Sequence, residues 1–333
     1  MKKDNYYIYH QSYLTPLLKG LRDSGVSMDR LTSGSTFKKY DYTNPEAYLP
    51  MKVVHDFFQS VRKDQDINNL ATTFYAHFEI SELGEYGEFL SVCPDLLTVL
   101  LEGIKYNHLL QTNSVLNLEV TGATSRFTNI HLEAGHEGRR IAERIEIAMI
   151  LNAFRMVLGE DWIPLKIEIP DSTSEWLSEM WPLQNTKIQS RSPYFAMVFK
   201  TDLLSAKNKC KTIQTLPPAD NSLDNISDYI NLLIRSTQDG SVPSLNDFST
   251  YFDVSERTII RKLQSEGIRF SSLLERYKFN KSLELLSYHQ ISINEISQIL
   301  GYSNAPNFIR AFKKWTNCSP NAYRSDSIKK SSL

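Results

Sequence analysis

Ser292–Ser303 reads SINEISQILGYS, and Ser244–Ser255, 48 positions earlier, reads SLNDFSTYFDVS. Four positions are identical, and Leu245/Ile293, Asp247/Glu295 and Phe252/Leu300 are conservative exchanges. Repetition at a fixed offset marks one supersecondary unit used twice. Each copy opens Ser-x-x-acid ahead of an apolar run. That is a capping box: the serine hydroxyl accepts from the N3 amide while the acid reaches back to the serine amide. In the second copy Ile296, Ile299 and Leu300 supply a buried face, and small Ser297 (Ser249 in the first) sits where two helices approach closely. Gly301 gives the sharp turn, since only glycine takes positive φ without steric cost. Ser303 or Asn304 then caps a second helix, with Pro306 in its first turn, where a missing N–H is harmless. Phe308, Ala311, Phe312 and Trp315 make its apolar stripe, while Asn307, Arg310, Lys313 and Lys314 face the other way.

In the first copy the turn residue is Asp253, which tolerates the left-handed region less well than glycine. Ser255 caps a helix with Ile259 and Leu263 inward and Arg257, Thr258, Arg261 and Lys262 outward. The apolar-periodic stretch Ser271–Ser287 joins the copies. The pattern predicts two helix-turn-helix units and hence a two-headed reader of duplex DNA. Its second helices would enter the major groove with basic groups on the flanking phosphates, roughly 34 Å apart along one face.

Outward from the repeat, the chain of 333 residues divides at 205–224, SAKNKCKTIQTLPPADNSLD, a polar stretch with Pro217-Pro218 and no apolar period. The domains expected are 1–204, a linker at 205–224, and 225–333. The formal charge of −1 conceals two signs: from Asn225 onward 14 basic residues face 10 acidic ones, a formal +4, which leaves −5 on the rest. A surplus of four is modest for a DNA binder. Weak, salt-dependent binding by one copy is expected, with a homodimer supplying the rest.

The N-terminal part mixes patterns. Leu14, Leu17, Leu18 and Leu21 fall at helical spacing before Gly25, and residues 50–63 and 94–110 also read as helices. Val115–Val120 and Arg126–Glu133 alternate like a hairpin around Thr121-Gly122-Ala123. Residues 139–158 form the strongest helix, closed by Gly159; Leu165–Ile169 and Tyr194–Phe199 read as strands. This half is expected to be α/β or α+β, ahead of an all-α C-terminal domain.

Beyond its periodicity, the C-terminal third carries SERTIIRKL, then EGIRF (Glu266–Phe270), and ISQILGYSNAPNFIRAFKKWTNCSPNAYR (Ile296–Arg324). With these elements, from about Ile226 to Arg324, the chain resembles the AraC/XylS transcription regulators. That resemblance implies seven helices with two helix-turn-helix motifs around a long connecting helix. By position, Arg257, Ile260 and Arg261 fall where the first reading helix meets DNA, and Ala305, Pro306 and Arg310 at the corresponding places in the second. Apolar residues at three of those six imply thymine-methyl contacts in place of some hydrogen bonds. Asp253 and Asn317 stand where the family frequently has glycine.

The N-terminal part resembles, more loosely, the effector domain of the branch named for the arabinose regulator, which includes ornithine-utilisation regulators. The carriers are the helical opening, Gly159–Pro164 (GEDWIP) and the strand after it. This implies a sensor and dimerisation role, with an unknown small-molecule effector. The chain as a whole is expected to be a cytoplasmic transcription regulator, activator or repressor, that binds promoter DNA as a homodimer and meets RNA polymerase. A second reading keeps DNA binding but lets the N-terminal domain only oligomerise or bind a protein partner.

Catalysis finds no foothold, so no enzyme and no cofactor are expected. GxSxG and GxxxxGK[ST] patterns are absent. The seven histidines form no HxH or HxxxH pair, and Cys93, Cys210 and Cys318 are too few and too scattered for a four-thiol zinc site. Glu143 and Glu146 could pair as carboxylates, but Arg139, Arg140 and Arg144 beside them predict ordinary surface ion pairs. Tyr6, Tyr7, Tyr9, Tyr13, Phe74, Tyr75 and Phe78 could line a pocket, with core packing the favoured reading. No apolar run is long enough to span a membrane, and MKKDNYYIYHQ lacks the apolar core of a secretion signal.

Overall fold

The computed structural model describes residues 6–63, 78–133, 138–172, 174–180, 183, 185–209, 223–238, 241–288 and 290–331. The chain folds into two compact units. One comprises Met1–Phe37 and Tyr48–Ser222, the other Lys38–Ala47 and Leu223–Leu333.

The first unit contains β1 (Ile8–His10), α1 (Thr15–Asp23), α2 (Met28–Thr32), β2 (Tyr48–Pro50), α3 (Met51–Lys63), α4 (Gly84–Ser91), α5 (Leu96–Leu110), β3 (Ser114–Thr121), β4 (Thr124–His131), α6 (Arg139–Leu158), β5 (Lys166–Glu168), α7 (Glu175–Met180), β6 (Lys187–Gln189) and β7 (Phe195–Lys200). Strands β1 and β2 pair antiparallel, and a five-stranded sheet runs β3-β4-β7-β5-β6, antiparallel except for the parallel pair β5/β6. The hairpin forms where expected, but β4 lies two residues earlier than the alternation suggested. Thr121 pairs with Thr124, so the turn is only Gly122-Ala123, with Gly122 at φ 60°.

Register places Phe127, Met197 and Ile167 side by side across β4, β7 and β5, all buried. Against them lies α6, whose Phe154 ring meets Phe127, Phe199 and Trp162 at 6.0, 4.9 and 5.1 Å. Helix α6 is buried on most of its circumference, Glu143, Glu146 and Arg155 included, because it is central and covered on several sides. Burying each such aromatic contributes roughly 1.5–3 kcal/mol. Gly159 ends the helix at φ 98°. Tyr9 and Tyr13 are fully buried in the core and Phe78 nearly so; Phe74 and Tyr75 lie outside the described residues.

The expectation of surface ion pairing on α6 fails for Glu143 and Glu146, which are both buried. Arg139 does pair with Glu143, at 2.7 Å. Glu146, however, faces His131 of β4 at 2.9 Å, and His131 also meets Glu133 at 3.2 Å. Burial alone would lower the His131 pKa, but the two carboxylates raise it to about 10. The two carboxylates thus favour the protonated imidazole. Among the described thiols, Cys93 and Cys318 are free, and burial pushes the Cys93 thiol up to about 11.

Of the stretch read as a linker, the first residues are tied down. Lys207 bridges to Asp95, and the Asn208 amide donates to the carbonyls of Ser91 and Cys93 at 2.9 and 3.0 Å. Pro217-Pro218 lies outside the described residues.

The second unit has, among the described residues, seven helices: α8 (Ile226–Arg235), α9 (Leu245–Phe252), α10 (Glu256–Ser265), α11 (Phe270–Ser287), α12 (Ile293–Ile299), α13 (Ala305–Thr316) and α14 (Pro320–Ser331). The long helix α11 packs on α8, α12 and α14. Phe248, Ile259 and Leu263 are buried in the first half; Leu285, Leu286, Ile296, Leu300, Phe308 and Phe312 form one cluster in the second. To this bundle is added a strap from far upstream, residues 38–47. Its Asp41 amide donates to Ser236 O and its Lys39 carbonyl accepts from Gln238 N, both at 2.9 Å. Tyr40 is fully buried, its ring 6.2 Å from Tyr251. Lys39 Nζ reaches Asp247 at 2.8 Å. Nothing in the sequence announced the strap.

Candidate nucleic-acid interface

The two repeated segments build the same object twice. Ser244 N donates to Asp247 Oδ2 at 2.8 Å while Asp247 N donates to Ser244 Oγ at 3.2 Å. Ser292 and Glu295 repeat this at 2.7 and 3.2 Å, so both capping boxes close as the spacing predicted. Burial would raise the Asp247 carboxyl, yet hydrogen bonds from Lys39 and Ser244 hold it below its ordinary value. The equivalent serines are satisfied locally: half-buried Ser249 Oγ donates to Val254 O, and fully buried Ser297 Oγ to Asn294 O, each at 2.7 Å.

The turns follow. Gly301 has φ 68°, and Asp253, in the equivalent place, adopts the same left-handed region at φ 51°, ψ 44°. Asn317 closes α13 likewise, at φ 60°. The second helices start on side-chain caps: Ser255 Oγ accepts from Thr258 N at 3.2 Å, and Asn304 Oδ1 from Asn307 N at 3.0 Å. Of the two caps the sequence allowed, Asn304 is the one used. Ser303 instead accepts from the Asn307 side chain at 2.7 Å.

These caps fix which residues face solvent. On α10, Ile259 and Leu263 turn inward; Arg257, Ile260 and Arg261 are exposed, and Thr258 and Lys262 half-buried. On α13, Phe308 and Phe312 turn inward; Pro306, Arg310, Lys313 and Lys314 are exposed, and Ala305 and Asn307 half-buried. Ile260 is an exposed branched apolar residue, 41% accessible, beside two arginines. Arg310 Nη2 donates to Asn307 Oδ1 at 2.9 Å, which holds the guanidinium over the first turns of the helix. Each second helix thus presents a cationic face with an apolar element, the chemistry that suits phosphates and base edges together.

Three supporting contacts were not legible in the helical periodicity. The Glu266 carboxylate accepts from the first amides of α8, Ile226 N at 3.2 Å and Ser227 N at 3.3 Å, placing negative charge at a helix N-terminus. Arg324 Nη2 donates to Ile291 O at 2.7 Å, pinning α14 to the loop before α12. The Lys278 ammonium of α11 sits 4.4 Å from the Tyr302 ring centroid, and burial lowers its pKa. The motif residues Glu266 and Arg324 are therefore structural clamps behind the exposed faces. Among the described residues no group of His, Cys, Asp and Glu is placed to hold a metal ion, and no helix is long and apolar enough to cross a membrane.

Comparison with known proteins supports both halves. The family profile described as "Arabinose-binding domain of AraC transcription regulator, N-term" matches residues 25–208, and that described as "Helix-turn-helix domain" matches residues 248–326. The HTH-type transcriptional regulator VqsM of Pseudomonas aeruginosa is 34% identical over 95 residues, 28% of this chain and 29% of that protein. The ornithine utilization regulator of the same organism is 33% identical over 85 residues, 26% of this chain and 25% of that protein. The HTH-type transcriptional activator CfaD of Escherichia coli is 36% identical over 72 residues, 22% of this chain and 27% of that protein. The matches thus span under a third of these relatives' lengths. Among solved structures, the transcriptional regulator CdpR of Pseudomonas aeruginosa is 15% identical, with a TM-score of 0.45 over 94% of this chain and 98% of that one.

Proposed function

The chain belongs to the family of AraC-type transcription regulators with an arabinose-binding-type N-terminal domain, and from that premise we propose that it reads duplex promoter DNA under the control of a small-molecule effector. The observation that carries the reading is the pair of capped helices α10 and α13, each turning a cationic face to solvent. Arg261 and Arg310 are the principal base- or phosphate-directed groups, supported by Arg257, Thr258, Lys262, Asn307, Lys313 and Lys314. Ile260, Ala305 and Pro306 supply apolar contact with thymine methyls.

The N-terminal unit holds the effector and joins two copies. Val115 and Ile130, directly paired across β3 and β4, are both exposed, and Leu132 extends the apolar strip. An exposed apolar strip on an edge hairpin suits self-association. Effector binding changes how the two reading units are presented to paired half-sites, and thereby RNA polymerase recruitment. On this reading the protein acts in the cytoplasm as an activator and catalyses nothing.

The test is enrichment of duplexes from a random pool by the full chain, followed by gel shift of the enriched sequence. Arg310→Ala is expected to weaken binding by about 1–3 kcal/mol, the scale of a base-directed arginine. Unchanged affinity in that variant sinks the assignment of Arg310, and no enrichment at all sinks the reading.

A further inference from the structure

The first unit has a half-open cavity of about 70 Å3 between α4, α5, the β3–β4 hairpin and α6. Its wall is apolar over most of its extent, with Leu100, Leu116, Phe127 and Met149 among its residues. Polar groups enter at Asn107, Gln111, Asn129 and Glu146, together with the Tyr86 hydroxyl, which is spent on Gly103 O at 3.3 Å.

What these groups have left is one-sided. Asn107 gives its amide hydrogens to Ser114 O and Oγ, and Gln111 gives one to Ser114 Oγ at 2.9 Å. Asn129 donates to Glu146 Oε2. Gln111 Oε1 and Asn129 Oδ1, both on side chains at least 97% buried, have no hydrogen-bond partner among the described residues. A buried acceptor without a donor is unfavourable and uncommon, and in a cavity wall it marks where a ligand donor belongs. The unspent atoms are acceptors, and Glu146 adds a carboxylate.

Glu146 is the ionisable carboxylate of the lining; its oxygens already accept from Asn129 and Tyr13, and it faces His131 at 2.9 Å. An anionic ligand would meet two unpaired acceptors and the Glu146 carboxylate. A purely apolar one would leave both amide oxygens unpaired. On a scale where one water occupies roughly 10–15 Å3, the volume holds on the order of five non-hydrogen atoms.

We infer that this cavity binds a short primary alkylamine as its ammonium ion, the nitrogen donating to Gln111 Oε1, Asn129 Oδ1 and the Glu146 carboxylate, the chain lying against Leu100, Leu116, Phe127 and Met149. An ammonium has three N–H donors, which matches the three acceptors. The inference rests on the N-terminal unit being a sensor and names its ligand class.

Calorimetric titration of the full chain with n-butylamine and n-pentylamine tests it, with n-pentanol and pentanoate as controls of similar size. Saturable binding of the amines at millimolar concentration or below, with neither control binding, is expected. Gln111→Leu deletes one unpaired acceptor while leaving the His131–Glu146 pair intact. It should weaken amine binding by about tenfold, the loss of one hydrogen bond to a charged group. Glu146→Gln should weaken it further. No amine binding, equal binding of pentanol or pentanoate, or unchanged amine affinity in Gln111→Leu overturns the inference. The sensor reading fails separately: if the amine binds in this cavity yet leaves the gel shift unchanged, the ligand class stands and effector control does not.

Discussion

Asp253 and Asn317 occupy left-handed backbone positions that usually favour glycine, and both side chains are exposed, so their conformation can be tested without disturbing a core. A β-branched residue is poorly tolerated there. Asp253→Val is expected to cost about 1–2 kcal/mol in urea unfolding, whereas Asp253→Gly should stay within roughly 1 kcal/mol of the parent, steric relief offsetting added chain entropy. Equal stability of the valine and glycine variants contradicts a strained turn. At this scale the exposed basic faces were largely legible: Arg257, Arg261, Arg310 and Lys313 fall outward because 3.6-residue periodicity fixes them once Ile259 and Phe308 are inward. Glu146 was not legible. Its partner His131 is a strand residue brought to α6 only by the tertiary fold, and the neighbouring arginines offered a local explanation that was wrong.

Helices were read correctly where a cap or a glycine punctuated them, α6 ending at Gly159 and α9 and α12 beginning at their serines, whereas the second strand of the hairpin was read two residues late. The short strands β1, β2 and β6, three residues each, carry too few side chains to show a period. The contact between β4 and α6 has a pH signature. His131 has its pKa raised from an ordinary 6.5 to about 10 in the folded chain. Its contribution to stability is therefore complete below pH 6.5 and is lost as pH rises through about 10. The urea midpoint of the N-terminal unit should fall across that window, and His131→Gln should flatten the fall. A variant with the parent's alkaline slope would place the titration elsewhere.

At the scale of the molecule, the boundary between the units is the feature composition could not reveal, because the strap at 38–47 carries no motif and its seat is made of residues some 200 positions away. Tyr40→Ala should destabilise the reading unit by about 3–5 kcal/mol, the usual range for emptying a fully buried aromatic site, as followed by Trp315 fluorescence during urea unfolding. An unchanged midpoint would mean the strap is dispensable. The strap also sets a timetable. Lys39 and Asp247 are 208 residues apart, and at about 5–20 residues per second the ribosome needs on the order of 10–40 s to make what lies between them. For that interval the nascent chain carries a segment whose partner does not yet exist. The reading unit can close only after its own last helices have been synthesised, so the strap finds its seat late, even when the rest of the N-terminal unit has already folded.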